Sequence, residues 1–330
     1  MTAGRLVSCL LLSLFLIQVN AQTRRQVVRA KVDSVLQAKY NKVSYDTSYI
    51  SRPKAKLTLK LRTNISGNSI HARSTRDGIN TKADLKTDLK ATLSLGINYQ
   101  GITAGVAINP AKLKGKNKDF EMNLNAYSNK FSLDASYQLS KTFAGDEVRD
   151  GTNYHLAAGF VETKMLNVSG YYTFNHRRFS YPAAFTQTYI QKKSAGSWLI
   201  GYSYQSGRIK TTDERPENIP EARIFIGHFG IGGGYGYNLV LGKKWLFHVS
   251  FLPTLVLFNL NNITVNRVRQ KMHTKFPDTI MNEHVAIIHN FNEKYFAGLT
   301  VVMSSTLFGS STVTINQNKW RARAYLGIRF

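Results

Sequence analysis

The chain has 330 residues, with 44 Lys and Arg against 19 Asp and Glu, a formal net charge of +25, and a single cysteine, Cys9. One cysteine excludes internal disulfides and thiolate metal clusters, and a chain cut after residue 21 would lack a cysteine nucleophile as well. Tyr (17) and Phe (18) are abundant and Pro (7) is scarce, a balance suited to strands.

Residues 1–21 start with one basic residue, Arg5, run apolar from Leu6 to Ile17 and end in Val19-Asn20-Ala21. They read as a cleavable secretory signal, cut after Ala21. The apolar run is too short to span a bilayer, which takes roughly 20 residues. Leu6-Val7-Ser8-Cys9 mimics a lipidation box, but lipidation at Cys9 would leave the apolar core uncleaved. An exported protein without disulfides needs another source of stability, and a barrel closed in lipid supplies one.

Residues 22–53 form a periplasmic N-terminal segment, partly helical, with Val28, Val32, Val35 and Leu36 on one stripe. Arg24, Arg25, Arg29 and Lys31 make its start basic. An extension, a plug for a lumen and an adaptor for a partner all fit this segment.

From residue 54 to 330, period two recurs, which predicts an all-β fold: a transmembrane up-and-down antiparallel β-barrel of about 14 strands, with 12 as the alternative count. Lys54–Asn64 opens the series, with Leu57, Leu59 and Leu61 opposite Lys56, Lys60 and Arg62. Asp88–Tyr99, 102–108, Phe120–Ser128 and Phe131–Leu139 follow. Next come Tyr154–Val161 and Leu166–Phe174, joined by a turn near Glu162-Thr163-Lys164, and then a weak strand, Ala183–Gln191. Ser197–Gln205, Ile224–Val240, Lys244–Phe258, Met281–Asn290 and Lys294–Ser304 lead to the clearest case, Trp320–Phe330. There Trp320, Ala322, Ala324, Leu326, Ile328 and Phe330 share one face, and Arg321, Arg323 and Arg329 stand on the other. Three arginines cannot face a buried core, so this strand fits lipid outside and water inside. Leu326, Ile328 and the terminal Phe330 resemble the signal read by barrel-assembly machinery. With both termini periplasmic, long connections alternate with tight turns. The predicted outer loops are 65–87, 110–118, 140–151, 176–182, 207–223, 259–280 and 305–319.

Three runs carry a resemblance: Tyr45-Asp46-Thr47-Ser48-Tyr49-Ile50, Phe179-Ser180-Tyr181-Pro182-Ala183-Ala184-Phe185 with Lys193-Ser194-Ala195-Gly196-Ser197, and Tyr295-Phe296-Ala297-Gly298-Leu299. Together they resemble an uncharacterised Bacteroidetes-type exported family, domain of unknown function 4421. The resemblance implies an outer-membrane barrel of unknown activity and supplies no catalytic residues.

The basic residues are dispersed over strands, turns and loops, which argues against a nucleic-acid partner. Lys112, Lys114, Lys116 and Lys118 alternate in one outer loop and suit outer-membrane lipids and lipopolysaccharide, or simply water. By parity the lumen carries a basic wall of Lys56, Lys60, Arg62, Lys90, Arg321, Arg323 and Arg329 facing an acidic one of Glu121 and Asp134. A narrow diffusion pore for small solutes, favouring anions or zwitterions, is one expectation. A lumen closed by ion pairs such as Arg62 with Asp88 is the other. A structural or adaptor barrel binding a periplasmic or membrane partner through the N-terminal segment is the alternative role, and a lipid-modifying barrel enzyme a third. His155, His228 and His248 lie in strands without triad spacing, so no enzyme is expected, and no cofactor or metal set is seen. The glycine stripe Gly230, Gly232, Gly234 and Gly236 suits a bend or a closely packed segment. His176-Arg177-Arg178 opens the fourth outer loop as an anion contact.

Overall fold

The computed structural model describes residues 42–76, 78–99, 102–108, 119–215, 220–271 and 278–330, together with Ser34 and Ala38. The expected signal peptide (1–21), most of segment 22–53 and the Lys112–Lys118 run lie outside the described residues. Two compact units separate: Met1–Ser44 with Gln100–Ile102, and Tyr45–Tyr99 with Thr103–Phe330. In the first, Ser34 and Ala38 are helical, and the Lys42 N–H donates to the Ala38 carbonyl (3.1 Å).

The strands are β1 (Ile50–Ser51), β2 (Leu57–Arg76), β3 (Ile79–Lys86), β4 (Lys90–Tyr99), β5 (Ile102–Ile108), β6 (Phe120–Tyr127) and β7 (Phe131–Ser140). They continue with β8 (Ala144–Arg149), β9 (Thr152–Leu156), β10 (Val161–Thr173), β11 (Ile190–Gln191), β12 (Ala195–Thr211) and β13 (Ala222–Leu241). β14 (Trp245–Asn259), β15 (Asn262–Val265), β16 (Val268–Lys271), β17 (Thr279–Asn290), β18 (Tyr295–Gly309) and β19 (Val313–Arg329) complete the set. One short helix, α1 (Tyr181–Phe185), lies between β10 and β11.

Pairing closes a ring in the order β2, β4, β5, β6, β7, β10, β12, β13, β14, β17, β18, β19, with β19 returning antiparallel onto β2. Among the described residues, twelve strands thus form the wall. β3, β8, β9, β15 and β16 lengthen its hairpins at one end, where β3 also pairs with β8. A closed ring leaves no unpaired edge, which lipid would not tolerate. The tight turns at 128–130, 242–244 and 291–294 mark the opposite end, where Leu57 and Phe330 also lie, bonded to each other through their backbones.

Alternation sets what each strand buries. On β19, Tyr325, Gly327 and Arg329 are buried inside while Leu326 and Phe330 are exposed outside. β14 buries Leu246, His248, Ser250, Leu252 and Thr254 and exposes Trp245, Val249, Phe251 and Leu255. The exterior is therefore a belt of exposed Leu, Ile, Val and aromatic side chains. Near the turn end it is rich in rings: Tyr99, Phe131, Trp198, Tyr235, Tyr237, Trp245 and Tyr295.

Two expected elements are corrected. Ala183–Gln191 is no wall strand: its start belongs to α1 and its end to β11, which pairs with β1 in a separate two-stranded sheet. Glu162-Thr163-Lys164 is no turn: it opens the continuous strand β10. The connection holding 176–182 consequently lies at the turn end, with the chain ends of the barrel, and is not an outer loop. Residues 65–87 and 140–151 are largely hairpin strand, paired to one another.

Candidate functional site

The connection from Phe174 to Ser194 folds into the barrel rather than away from it. Ser180 caps α1, its hydroxyl accepting from the Ala183 N–H (3.3 Å), and Pro182 fits the first turn, where no amide hydrogen is required. Phe179, Tyr181, Ala183, Ala184 and Phe185 are buried against Tyr171, Leu199, Leu246, Leu252, Ala286, Ile288, Phe296 and Tyr325 of the wall. Tyr181 stacks on Phe185 (5.5 Å) and Tyr127 (6.1 Å), and meets Phe179 and His248 edge-on (5.6 and 4.9 Å). A side chain at Gly236 would sit 3.0 Å from Phe179 Cζ, so part of the glycine stripe makes room for this segment. The closely packed segment is thus the 174–194 connection. We call it the plug.

Polar bonds pin both ends of α1. The Gln191 side chain accepts from the Ser180 N–H (3.0 Å) and Asn238 Nδ2 (3.0 Å), and donates to the Arg178 and Lys193 carbonyls (2.6 and 2.9 Å). Beyond the helix, Gln187 takes a left-handed backbone (φ 55) and donates to the Ala184 carbonyl (2.8 Å) and the Tyr325 hydroxyl (2.6 Å). Lys60 reaches across to donate to the Thr186 carbonyl and Gln187 Oε1 (2.6 Å). A cation at this helix end satisfies carbonyls that have no partner within the helix.

Under the plug, Ser250 Oγ lies 3.1 Å from His248 Nε2, and His248 Nδ1 lies 2.7 Å from Asn238 Oδ1. Nucleophile, base and orienting amide stand in the order of acyl-transfer enzymes. The Tyr181 hydroxyl, however, is hydrogen-bonded to Ser250 Oγ, and all three side chains are buried. In this conformation they form a socket for Tyr181.

Above the plug the interior is polar. Glu121 faces Lys90 (3.8 Å) and Arg321 (3.6 Å) and accepts from Ser66 Oγ (2.9 Å) and Asn123 Nδ2 (2.8 Å). Lys90 also pairs with Asp119 (3.5 Å), a residue the sequence reading passed over. Asp134 accepts from Tyr171 (2.7 Å), Tyr127 and Asn125, and faces His284 (3.5 Å). Arg323 donates to Asn64 (2.7 Å), and Arg62 packs over Gly96. Lys319, also missed because the last strand begins seven residues earlier than expected, donates to Ser136 (2.7 Å). A cavity of about 70 Å³ is lined by Glu121, Asp134, Lys319, Arg321, His284 and several Asn and Ser side chains. At the hairpin end a second apolar cluster closes over it, built from Ile70, Leu85, Phe143, Leu156, Phe160, Ile226, Phe308 and Ile315.

Of the expected lumen residues, the structure brings together Lys90, Arg321 and Glu121 as direct ion pairs rather than as opposed walls. Lys60 serves the plug. Arg329 binds the Glu293 carbonyl (3.3 Å) and Asn290 (3.0 Å) at the turn end and stacks on Phe296 (4.2 Å). Lys56 is a correction: it precedes β2 and is exposed, so it is not part of the strand wall. Asp88 is exposed in the break between β3 and β4, away from Arg62 as a partner, and its N–H donates to Thr142 Oγ1 (3.2 Å). Leu326 and Phe330 are exposed on the outer face, with Ile328 half-buried beside them.

His176, Arg177 and Arg178 sit at the plug entrance. Arg177 and Arg178 line a groove of about 530 Å³ with Tyr45, Asp46, Thr47 and Asn175. Arg178 pairs with Asp46 (3.2 Å), whose carboxyl is held below its ordinary range first by the Ser48 hydroxyl and N–H and then by Arg178. The segment before the barrel is thereby tied to the plug. The Asp46 N–H donates to the Arg177 carbonyl (2.8 Å), the Lys192 N–H to the Tyr49 carbonyl (2.7 Å), and Arg52 to Tyr189 (2.7 Å).

Among the described residues no helix is long and apolar enough to cross a membrane, and no group of three or more His, Cys, Asp and Glu stands ready for a metal ion. No curated protein matches the chain. Among solved structures it is similar to the outer membrane protease OmpT of Escherichia coli, at 9% identity over 88% of this chain and 100% of that one, TM-score 0.45. It is also similar to the translocator domain of autotransporter NalP from Neisseria meningitidis (8%, 93% and 98%, TM-score 0.29). Outer membrane protein OprG from Pseudomonas aeruginosa is a third (11%, 84% and 97%, TM-score 0.28). The model of the family described as domain of unknown function (DUF4421) matches residues 44–330, nearly all of the described chain, and the protein belongs to that family.

Proposed function

We propose that this protein is a bacterial outer-membrane barrel, closed at rest, that acts as an anchor and adaptor, with its barrel ends and plug facing the periplasm. The apolar belt, the ring-rich girdle and an outward aromatic at the C-terminus support membrane placement. One observation carries the closed state: the plug fills the turn end of the lumen and is bonded to the residues that lead into the barrel. A partner that grips the N-terminal segment therefore grips the plug as well. A gated pore is the second reading, favoured by the polar, cationic interior above the plug.

Planar-bilayer recording of the mature chain tests this. The expected result is no steady current, and no current after deletion of residues 22–44, which keeps the Asp46 to Ile50 contacts with the plug and costs only partner binding. Replacing 177–190 by a short Gly-Ser linker is expected to produce conductance. Steady current through the intact chain overturns the closed anchor.

A further inference from the structure

We infer that the closed lumen holds a small inorganic oxyanion of phosphate size, seated between Lys319 and Arg321 in the cavity above the plug. This goes beyond the anchor reading and needs only that the barrel close as described.

The count of donors and acceptors leads there. A carboxylate offers about four lone-pair sites. Glu121 accepts two hydrogen bonds, from Asn123 at Oε1 and Ser66 at Oε2, with Arg321 and Lys90 at ion-pair distance (3.6 and 3.8 Å). Asp134 accepts three, from Asn125 and Tyr127 at Oδ1 and Tyr171 at Oδ2, with His284 3.5 Å away. Both carboxylates are thus engaged by the chamber's own donors, while Lys90 Nζ and His284 Nε2 are buried without a hydrogen-bond partner among the described residues. Its cations do have donors left. Lys319 has three and uses one on Ser136. Arg321 has five, and its contact among the described residues is the single one to Glu121 at 3.6 Å. Asn123, Asn125, Asn167 and Asn282 bring further amides to the same walls. A chamber whose donors outnumber the bonds its own acceptors make accepts a ligand made of acceptors.

Charge points the same way. Arg62, Lys90, Lys319, Arg321 and Arg323 face the mid-lumen, whereas its carboxylates among the described residues are Asp119, Glu121 and Asp134. Arg62 and Arg323 lie diagonally across the β2–β19 seam from each other, with Arg321 one inward position further along β19, so the excess is concentrated. Unpaired charge in a low-dielectric interior is costly, and a counter-anion relieves it. Size sets the class. A water needs on the order of 10–15 Å³ by the same measure, so about 70 Å³ has room for a tetrahedral oxyanion with some of its water. The plug below and the apolar cluster above exclude a headgroup that carries its acyl chains.

The test is to refold the mature chain in detergent with millimolar inorganic phosphate, remove free ion by gel filtration and assay what stays. Phosphate is expected in equimolar amount, undisplaced by chloride at matched ionic strength. Lys319→Gln with Arg321→Gln is expected to lower retention about tenfold or more, since two charge-assisted hydrogen bonds are lost. Glu121→Gln releases the Arg321 donors and is expected to tighten binding several-fold, an arm that stands even if the double variant does not fold. An empty wild-type chain, displacement by chloride, retention unmoved in the double variant, no tightening in Glu121→Gln, or phosphorus recovered in the organic extract as lipid would each overturn the assignment.

Discussion

Tyr181→Ala isolates the plug from the wall. Its ring is buried, stacked on Phe185 and on Tyr127, and its hydroxyl bonds Ser250. Truncating a buried aromatic costs about 3–5 kcal/mol, and a lost neutral hydrogen bond adds about 1 kcal/mol. The wall strands keep their ladders, so the cost falls on plug docking. Taking about 4 kcal/mol, the ratio of undocked to docked plug rises by nearly three decades, at about 1.4 kcal/mol per tenfold. Tyr181→Phe removes only the hydroxyl and should raise that ratio about fivefold. Single-channel recording reads the ratio as the fraction of time open, and thermal unfolding followed by circular dichroism reads the wall. The expected pattern is brief openings in Tyr181→Ala, fewer in Tyr181→Phe, with nearly constant wall melting. A Tyr181→Ala barrel as silent as the wild type but with a lowered melting temperature would refute a plug separable from the wall.

Gly236→Val places a Cβ 3.0 Å from Phe179 and 3.3 Å from Ser250 Cβ, so overpacking of about 1–3 kcal/mol is expected, relieved by adding Phe179→Ala; a double-mutant cycle on thermal midpoints checks it. Lys60→Gln shortens the reach to Thr186 and Gln187 and removes a charge-assisted bond worth about 1.5–3 kcal/mol; protease nicking between 174 and 194 should accelerate while the wall stays intact. Asp278, in the loop before β17, is buried, its carboxyl pushed up to about 6 by desolvation and only partly offset by the Gly309 N–H. Its folded pKa lies above the unfolded one, so its contribution is complete below about pH 4 and disappears as pH rises through about 6. Asp278→Asn should therefore raise the denaturant midpoint at pH 8 and leave it unchanged at pH 4.

Alternation was the legible part, because a wall between lipid and water forces each strand to declare two faces. Trp320 to Phe330 and the glycines of β13 fall on the faces that parity assigned. Two local errors hid the plug. Glu162-Thr163-Lys164 looks like a turn, yet Glu162 stands among Lys141, Lys164 and Lys210 (3.1, 3.4 and 3.7 Å) on a continuous strand. Ala183 to Gln191 reads as period two, but Ser180 and Pro182 mark a helix start, a signal present and outweighed. Tyr154–Val161 and Ala183–Gln191 are two surplus wall strands, and two cancel, so the parity is correct again from Ser197 onward. The plug itself needed coordinates, since a connection rich in Phe and Tyr reads equally as an outward loop in lipid headgroups or as an inward stopper. Lys90 with Glu121 spans three ring positions, a juxtaposition fixed by barrel circumference and invisible to spacing. The runs that carry the family resemblance converge on the plug: Ile50 pairs with Gln191, Tyr181 is its anchor, and Phe296 packs beneath it.

The plug is an internal stretch of chain whose two roots, Thr173 and Ala195, end neighbouring strands that are hydrogen-bonded to each other. Even if undocked, it could not diffuse off. Re-entry is therefore a unimolecular event, independent of protein concentration, and the stopper is never diluted away when the barrel is solubilised. Any opened barrel carries its own cork on a leash of fixed length, so recovery after a transient pull needs no second component.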